Sequence, residues 1–139
     1  MKTLRLLSLL VIGAALISSC DKDDEISTAE ALERLQKTWK IDSISTVFFS
    51  SPTSATVTYK GDSTDYYDFR SDGKLYTQVN NTKDTLLYNL LNNNTLVVNN
   101  NGVIDSGKLT ILNSSKLVGV TRTKLNATDY YEVTANLSR

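Results

Sequence analysis

The chain changes its hydrophobic rhythm twice. Residues 6–16 are almost continuously apolar. Residues 28–37 then place Ala31, Leu32 and Leu35 at helical spacing, with the charged Glu33 and Arg34 between them. That is the pattern of a helix burying one stripe. From Trp39 onward apolar and polar side chains alternate, so that every second residue shares a face, as on a β-strand.

The helix has a legible start. Ser27-Thr28-Ala29-Glu30 fits a capping box, in which a hydroxyl and a carboxylate satisfy free N–H groups. We predict a short helix over 28–37. The first extended run puts Trp39, Ile41, Val47 and Phe49 on one face, with Ser43 and Ser45 between them. A short strand is expected over 56–59. Residues 66–70 and 74–79 flank Ser71-Asp72-Gly73, and the Asp-Gly pair supplies the positive φ of a hairpin turn. Further strands are expected over 85–91, 95–99, 108–112 and 116–123, with a last one over 129–137. Asparagine clusters such as Asn92-Asn93-Asn94 separate them, suited to left-handed turn backbone. Such spacing predicts a mostly β, antiparallel meander of eight or nine strands, closed as a barrel or stacked as a sandwich.

The N-terminus reads differently. Lys2 and Arg5 precede an apolar run of about a dozen residues, short of the ~20 that a spanning helix requires. The run ends in Ile17-Ser18-Ser19-Cys20, which resembles a bacterial lipobox. The resemblance implies that residues 1–19 are a cleaved lipoprotein signal peptide. Cys20 would then carry a thioether-linked diacylglycerol and usually an N-linked acyl chain such as palmitate. One acyl chain, at ~0.8 kcal/mol per buried CH₂, holds a membrane only marginally, whereas two or more anchor stably. Lys22, Asp23 and Asp24 follow within the acidic stretch 21–25. They resemble the Bacteroidota signal that sends lipoproteins to the outer face of the outer membrane; read blandly, they are a solvated spacer. The expected organisation is a signal over 1–19, a lipidated tether over 20–27 and one domain over 28–139.

Composition narrows the chemistry. The chain has no histidine, which excludes His-based acid–base catalysis, Ser-His triads and His-containing metal sites. Cys20 is its single cysteine, so no intramolecular disulfide can form. Without residues 1–19 the chain carries 13 basic and 15 acidic residues, a net charge of −2. That is no footprint of a nucleic-acid binder. Asp62, Asp65, Asp68 and Asp72 cluster in sequence without the alternating Asp pattern of a calcium loop, and acidic turn residues account for them. We expect no cofactor, no metal and no enzyme.

Leu35, Thr38, Trp39 and Ile41, followed by Phe69-Arg70-Ser71-Asp72-Gly73-Lys74, resemble the opening and a later hairpin of the lipocalin-like domains of bacterial lipoproteins. The resemblance spans residues 30–139 and implies an up-and-down barrel of about eight strands behind one short helix. The family's glycine falls at Lys37, which implies different packing at the closed end. In lipocalins the early tryptophan lies under an arginine of a late strand. Arg139 and Arg122 are the candidates for Trp39, and Arg139 is favoured because a final strand that closes a barrel pairs with the first.

An eight-stranded barrel either fills with its own side chains or holds one small ligand. The candidate cavity lining is Ile41, Ser43, Ser45, Tyr67, Phe69, Thr77, Tyr88 and Tyr131, with Ile111, Val118 and Val120 also expected to point inward. Small polar residues there mean either room for polar ligand groups or positions at a wet rim. Outward Tyr66, Tyr76 and Tyr130 suit a contact patch or cross-strand pairing. The expected function is a non-enzymatic binding module on the outer membrane, cell-surface exposed and held by its lipid anchor. Its partner would be a small apolar or amphipathic molecule or a protein. The alternative is a filled barrel that acts through loops and outward tyrosines.

Overall fold

The computed structural model describes residues 26–139. Cys20, Lys22, Asp23 and Asp24, and with them the expected signal and most of the tether, lie outside the described residues. Helix α1 (Thr28–Leu35) is followed by β1 (Thr38–Ser50), β2 (Thr53–Lys60), β3 (Tyr66–Phe69), β4 (Lys74–Val79) and β5 (Thr82–Leu91). Then come β6 (Thr95–Asn100), β7 (Val103–Leu112), β8 (Lys116–Lys124) and β9 (Tyr130–Ser138). All pairings are antiparallel, and β9 returns to pair with β1. Eight strands, β1 and β3 to β9, therefore close a barrel, and β2 is one strand extra. It lies against the same edge of β1 as β3, over Ser43–Ser50, whereas β3 takes Thr38–Lys40. The predicted up-and-down barrel behind a short helix is what the chain forms.

The helix closes one end. The Ser27 hydroxyl accepts from the Glu30 N–H at 3.2 Å. The Glu30 carboxylate does not complete the box; it pairs with Arg34 at 2.6 Å. The helix stops two residues short of the expected end, at Leu35, and the Gln36 N–H bonds the Leu32 carbonyl. Ala31 and Leu35 are fully buried and meet Trp39, Ile41, Tyr88 and Leu137 in one core cluster. A barrel has no edge to protect, but its ends are open, so an amphipathic helix laid across one end buries both surfaces at once.

Two bulges break the alternation. Ile41 opposes Leu137 and Ser43 opposes Asn136, which leaves Asp42 without a partner in the ladder. From there the phase of β1 is inverted: Ile44 packs against the core, and Ser43 and Ser45 turn outward with Val47 and Phe49. A second bulge at Thr110 separates Leu109, opposite Gly119, from Ile111, opposite Val118. Ile111 is consequently exposed, and Val118 shares the outward row of Asn136. The inward row of β8 is Leu117, Gly119 and Thr121, each opposite an inward residue of β9. The expected inward placement of Ser43, Ser45 and Ile111 is thus corrected, because one extra residue in a strand exchanges its faces. On β8, which has no bulge, the unbroken pairing with β9 puts Val118 and Val120 in the other row, although Val118 is buried and Val120 still borders the interior space.

The first bulge is stapled by the segment between β2 and β3. The Gly61 N–H donates to the Asp42 carbonyl at 3.2 Å, and the Ile41 N–H to the Asp65 carbonyl at 3.2 Å. A Cβ on Gly61 would lie 1.9 Å from the Ile41 carbonyl oxygen, so no other residue fits without moving β1. The Asp65 side chain, 1% exposed, collects three donors. They are the Tyr59 hydroxyl at 2.5 Å, the Asp62 N–H at 2.8 Å and the Asn80 N–H at 2.9 Å. A single carboxylate thereby ties β2, its loop and the β4–β5 turn, which explains its burial without a cation.

Candidate functional site

Above the helix-capped base the barrel is not filled. A cavity of about 270 Å³ remains inside it. Its floor is shared with the core: Phe69, Leu75, Leu109, Leu117 and Leu137 belong to both. Val79, Leu86, Leu96, Val98, Val133 and Ala135 continue the apolar wall. Part of the space exists because Gly107 and Gly119 line the wall without side chains. Gly107 is forced, since a Cβ there would lie 2.5 Å from the Thr121 hydroxyl oxygen. Gly119 is not, since its Cβ would meet only a Leu109 methyl at 3.9 Å.

Four polar side chains of the inward rows interrupt the wall, Tyr67, Thr77, Thr121 and Asp105, and Lys108 borders it from the outward row. Tyr67 and Thr77 are cross-strand partners on β3 and β4. Burial raises the Tyr67 pKa above that of a free phenol, so its hydroxyl keeps its proton and can donate. That hydroxyl makes no hydrogen bond within the described residues. Among the described residues no fully buried side-chain polar atom lacks a partner, so this hydroxyl is not sealed in the core, and Tyr67 lines the cavity. Asp105 lies on β7 opposite Val98, two residues before Gly107, and so in the inward row.

Tyr67, Phe69 and Thr77 are the expected lining residues that border the cavity. Ile41 and Tyr88 point inward but lie in the core cluster with the helix. The Tyr88 hydroxyl donates to the Arg70 carbonyl at 2.7 Å and accepts from Gln36 at 3.3 Å, while its ring meets Phe69 edge-on at 5.1 Å. Tyr131 shares the inward row of Val133 and faces Phe48, ring to ring at 6.4 Å, clear of the cavity wall. Ser43 and Ser45, on the outer face after the first bulge, do not line the cavity. Ser43 accepts from the Asn136 amide at 3.3 Å, and Ser45 shares a hydrogen bond with Thr58 at 3.0 Å.

The two arginines separate cleanly. Arg139 sets its guanidinium 4.8 Å from the centre of the Trp39 ring and bonds the Ser114 carbonyl. Below it the Trp39 indole N–H donates to the Leu35 carbonyl at 3.0 Å. Arg122 takes no part in the base. It points outward, pairs with Glu132 at 2.6 Å and covers Tyr130 at 4.5 Å, because Thr121 and not Arg122 holds the inward phase of β8. Of the outward tyrosines, Tyr130 also stacks on Phe49 at 5.0 Å, and Tyr76 lies under Arg70 at 4.6 Å.

Asp105, Thr121 and the two glycines were not foreseen as lining. Asp105-Ser106-Gly107 has the composition of a turn, yet β7 runs straight through it. The signal was present one step earlier. Asn101 and Gly102 both have positive φ and form a two-residue hairpin turn, which obliges Val103 onward to pair back along β6. Among the described residues no group of three or more acidic, cysteine or histidine side chains is placed to hold a metal. No family model, curated protein or solved structure matches the chain.

Proposed function

We propose that this protein is a lipid-anchored, lipocalin-like binding module of the bacterial outer membrane, which holds a small amphipathic molecule within its barrel. The observation that carries the reading is the cavity of about 270 Å³, apolar on most of its wall, with the protonated Tyr67 lining it. Small-molecule sites combine such walls with a few placed polar groups, and a volume just below their usual ~300–1,000 Å³ range suits only a compact ligand. Recognition here is by burial and one or two hydrogen bonds, with no bond made or broken. The alternative, a surface acting through outward tyrosines, has less support, because Tyr76 and Tyr130 are already covered by arginines. The proposed address rests on the sequence from Lys2 to Asp24.

Native mass spectrometry of the protein extracted from its own membrane tests this. A stoichiometric small molecule should accompany the wild type and be absent from Gly119→Leu, whose side chain would occupy the cavity. An empty wild type would refute the reading. Cys20→Ala should release the protein from the membrane fraction; continued sedimentation with membranes would refute the anchor.

A further inference from the structure

The wall of the cavity is electrically lopsided. Asp105 and Lys108 are the two side chains of opposite charge along it. Lys108, however, pairs with Thr95 in the outward row, and its ammonium is held there by the Asn94 side-chain amide oxygen at 3.2 Å and the Thr95 hydroxyl at 2.7 Å. Asp105 stands in the inward row with Gly107 and Leu109, and no side chain of opposite charge is bonded to it among the described residues. A ligand in this space therefore meets a carboxylate and no facing cation. An acyl chain ending in a carboxylate, the common choice for an apolar pocket, would bring a second negative charge beside the first and find no inward cation to pair with it. A ligand ending in an ammonium would pair with Asp105 and still lay its apolar part along Leu96, Val98 and Leu109.

We propose that the cavity selects amphiphiles with a cationic amine head over fatty-acid anions. This rests on the reading of the cavity as a ligand site and adds its charge preference. Asp105 is exposed at its position on the strand, so the pair is partly screened. Attraction for one head and repulsion for the other should together separate the two by about tenfold in Kd.

The test compares octylamine, octanol and octanoate, three heads on one chain, by isothermal titration calorimetry on the full protein at neutral pH and low salt. The expected order is octylamine tightest and octanoate weakest, with the gap shrinking as salt is added. Asp105→Asn, nearly isosteric and on an exposed position, should fold normally and bring octylamine and octanoate within about twofold of each other. Octanoate binding as tightly as octylamine, or an undiminished gap in Asp105→Asn, would overturn the charge preference. Octanol would then still report on the cavity by binding the wild type and failing with Gly119→Leu. If none of the three binds, the ligand-site reading itself fails, and this inference falls with it.

Discussion

Replacing Trp39 by Ala tests the closed end of the barrel. Trp39 is fully buried, and its ring lies between the helix and Arg139. Truncating a buried tryptophan costs about 3–5 kcal/mol through lost burial and the void it leaves. The Leu35 carbonyl loses the indole donor but keeps the Lys37 N–H at 2.7 Å, so no orphaned acceptor adds to the cost. The exposed guanidinium of Arg139 contributes about 0.5–1 kcal/mol more through its contact with the ring. The expected loss is therefore about 3.5–6 kcal/mol, a large part of the ~5–15 kcal/mol available to a domain of this size. Trp39→Phe should cost about half as much, and Arg139→Ala only about 0.5–1 kcal/mol. Urea denaturation followed by far-UV circular dichroism measures all three, since Trp39 is the single tryptophan and its removal abolishes the tryptophan fluorescence signal. A loss below about 2 kcal/mol for Trp39→Ala, at unchanged m, would refute the assignment of the base as the main core.

Gly61→Ala should destabilise by more than about 3 kcal/mol in the same assay, because its Cβ would overlap the Ile41 carbonyl. Gly119→Ala, with open space before it, should change stability by less than about 1 kcal/mol. The Tyr59 hydrogen bond, followed by that of the Asp62 N–H, holds the Asp65 carboxyl below the usual range. The unfolded chain therefore binds the proton first as pH falls, so the stability Asp65 supplies is complete above about pH 4 and drains away below it. Denaturation midpoints from pH 6 to pH 2 should show that acid limb in the wild type and a flatter one in Asp65→Asn. Arg122→Ala should cost less than about 1 kcal/mol, since its pair with Glu132 is on the surface.

The parts of this fold that could be read from the chain are those governed by local rules. The capping hydroxyl of Ser27, the Asp72-Gly73 hairpin and the alternation of β9 each depend on a few neighbouring residues, and each is where it was expected. Arg139 over Trp39 also followed, because closure of the barrel brings the last strand beside the first. What could not be read is the phase of β1 beyond Ile41 and of β7 beyond Leu109. Nothing in Asp42 or Thr110 marks a bulge. Asp42 is held by partners distant in sequence, Gly61 through its carbonyl and the Ser138 hydroxyl through its carboxylate at 2.6 Å. The Thr110 hydroxyl bonds the Val118 carbonyl. Those contacts exist only once the barrel has closed.

The same two bulges decide what the interior can hold. Without the first, Ser43 and Ser45 would face inward and Ile44 outward, and the wall near β9 would be polar. Without the second, either Leu109 or Leu112 would leave the core. The bulges thus keep apolar residues on the inner face at both ends of their strands, and among the inward rows polarity enters the cavity at Tyr67, Thr77, Thr121 and Asp105. Gly107 and Gly119 then withhold the side chains that would fill the space. Of the two, only Gly107 is required by the packing of its neighbours. At position 119 a larger residue would fit and would stabilise the barrel by filling it. A glycine where the fold does not demand one leaves room for an occupant, and that is the physical link between the shape of this sheet and the binding role proposed for it.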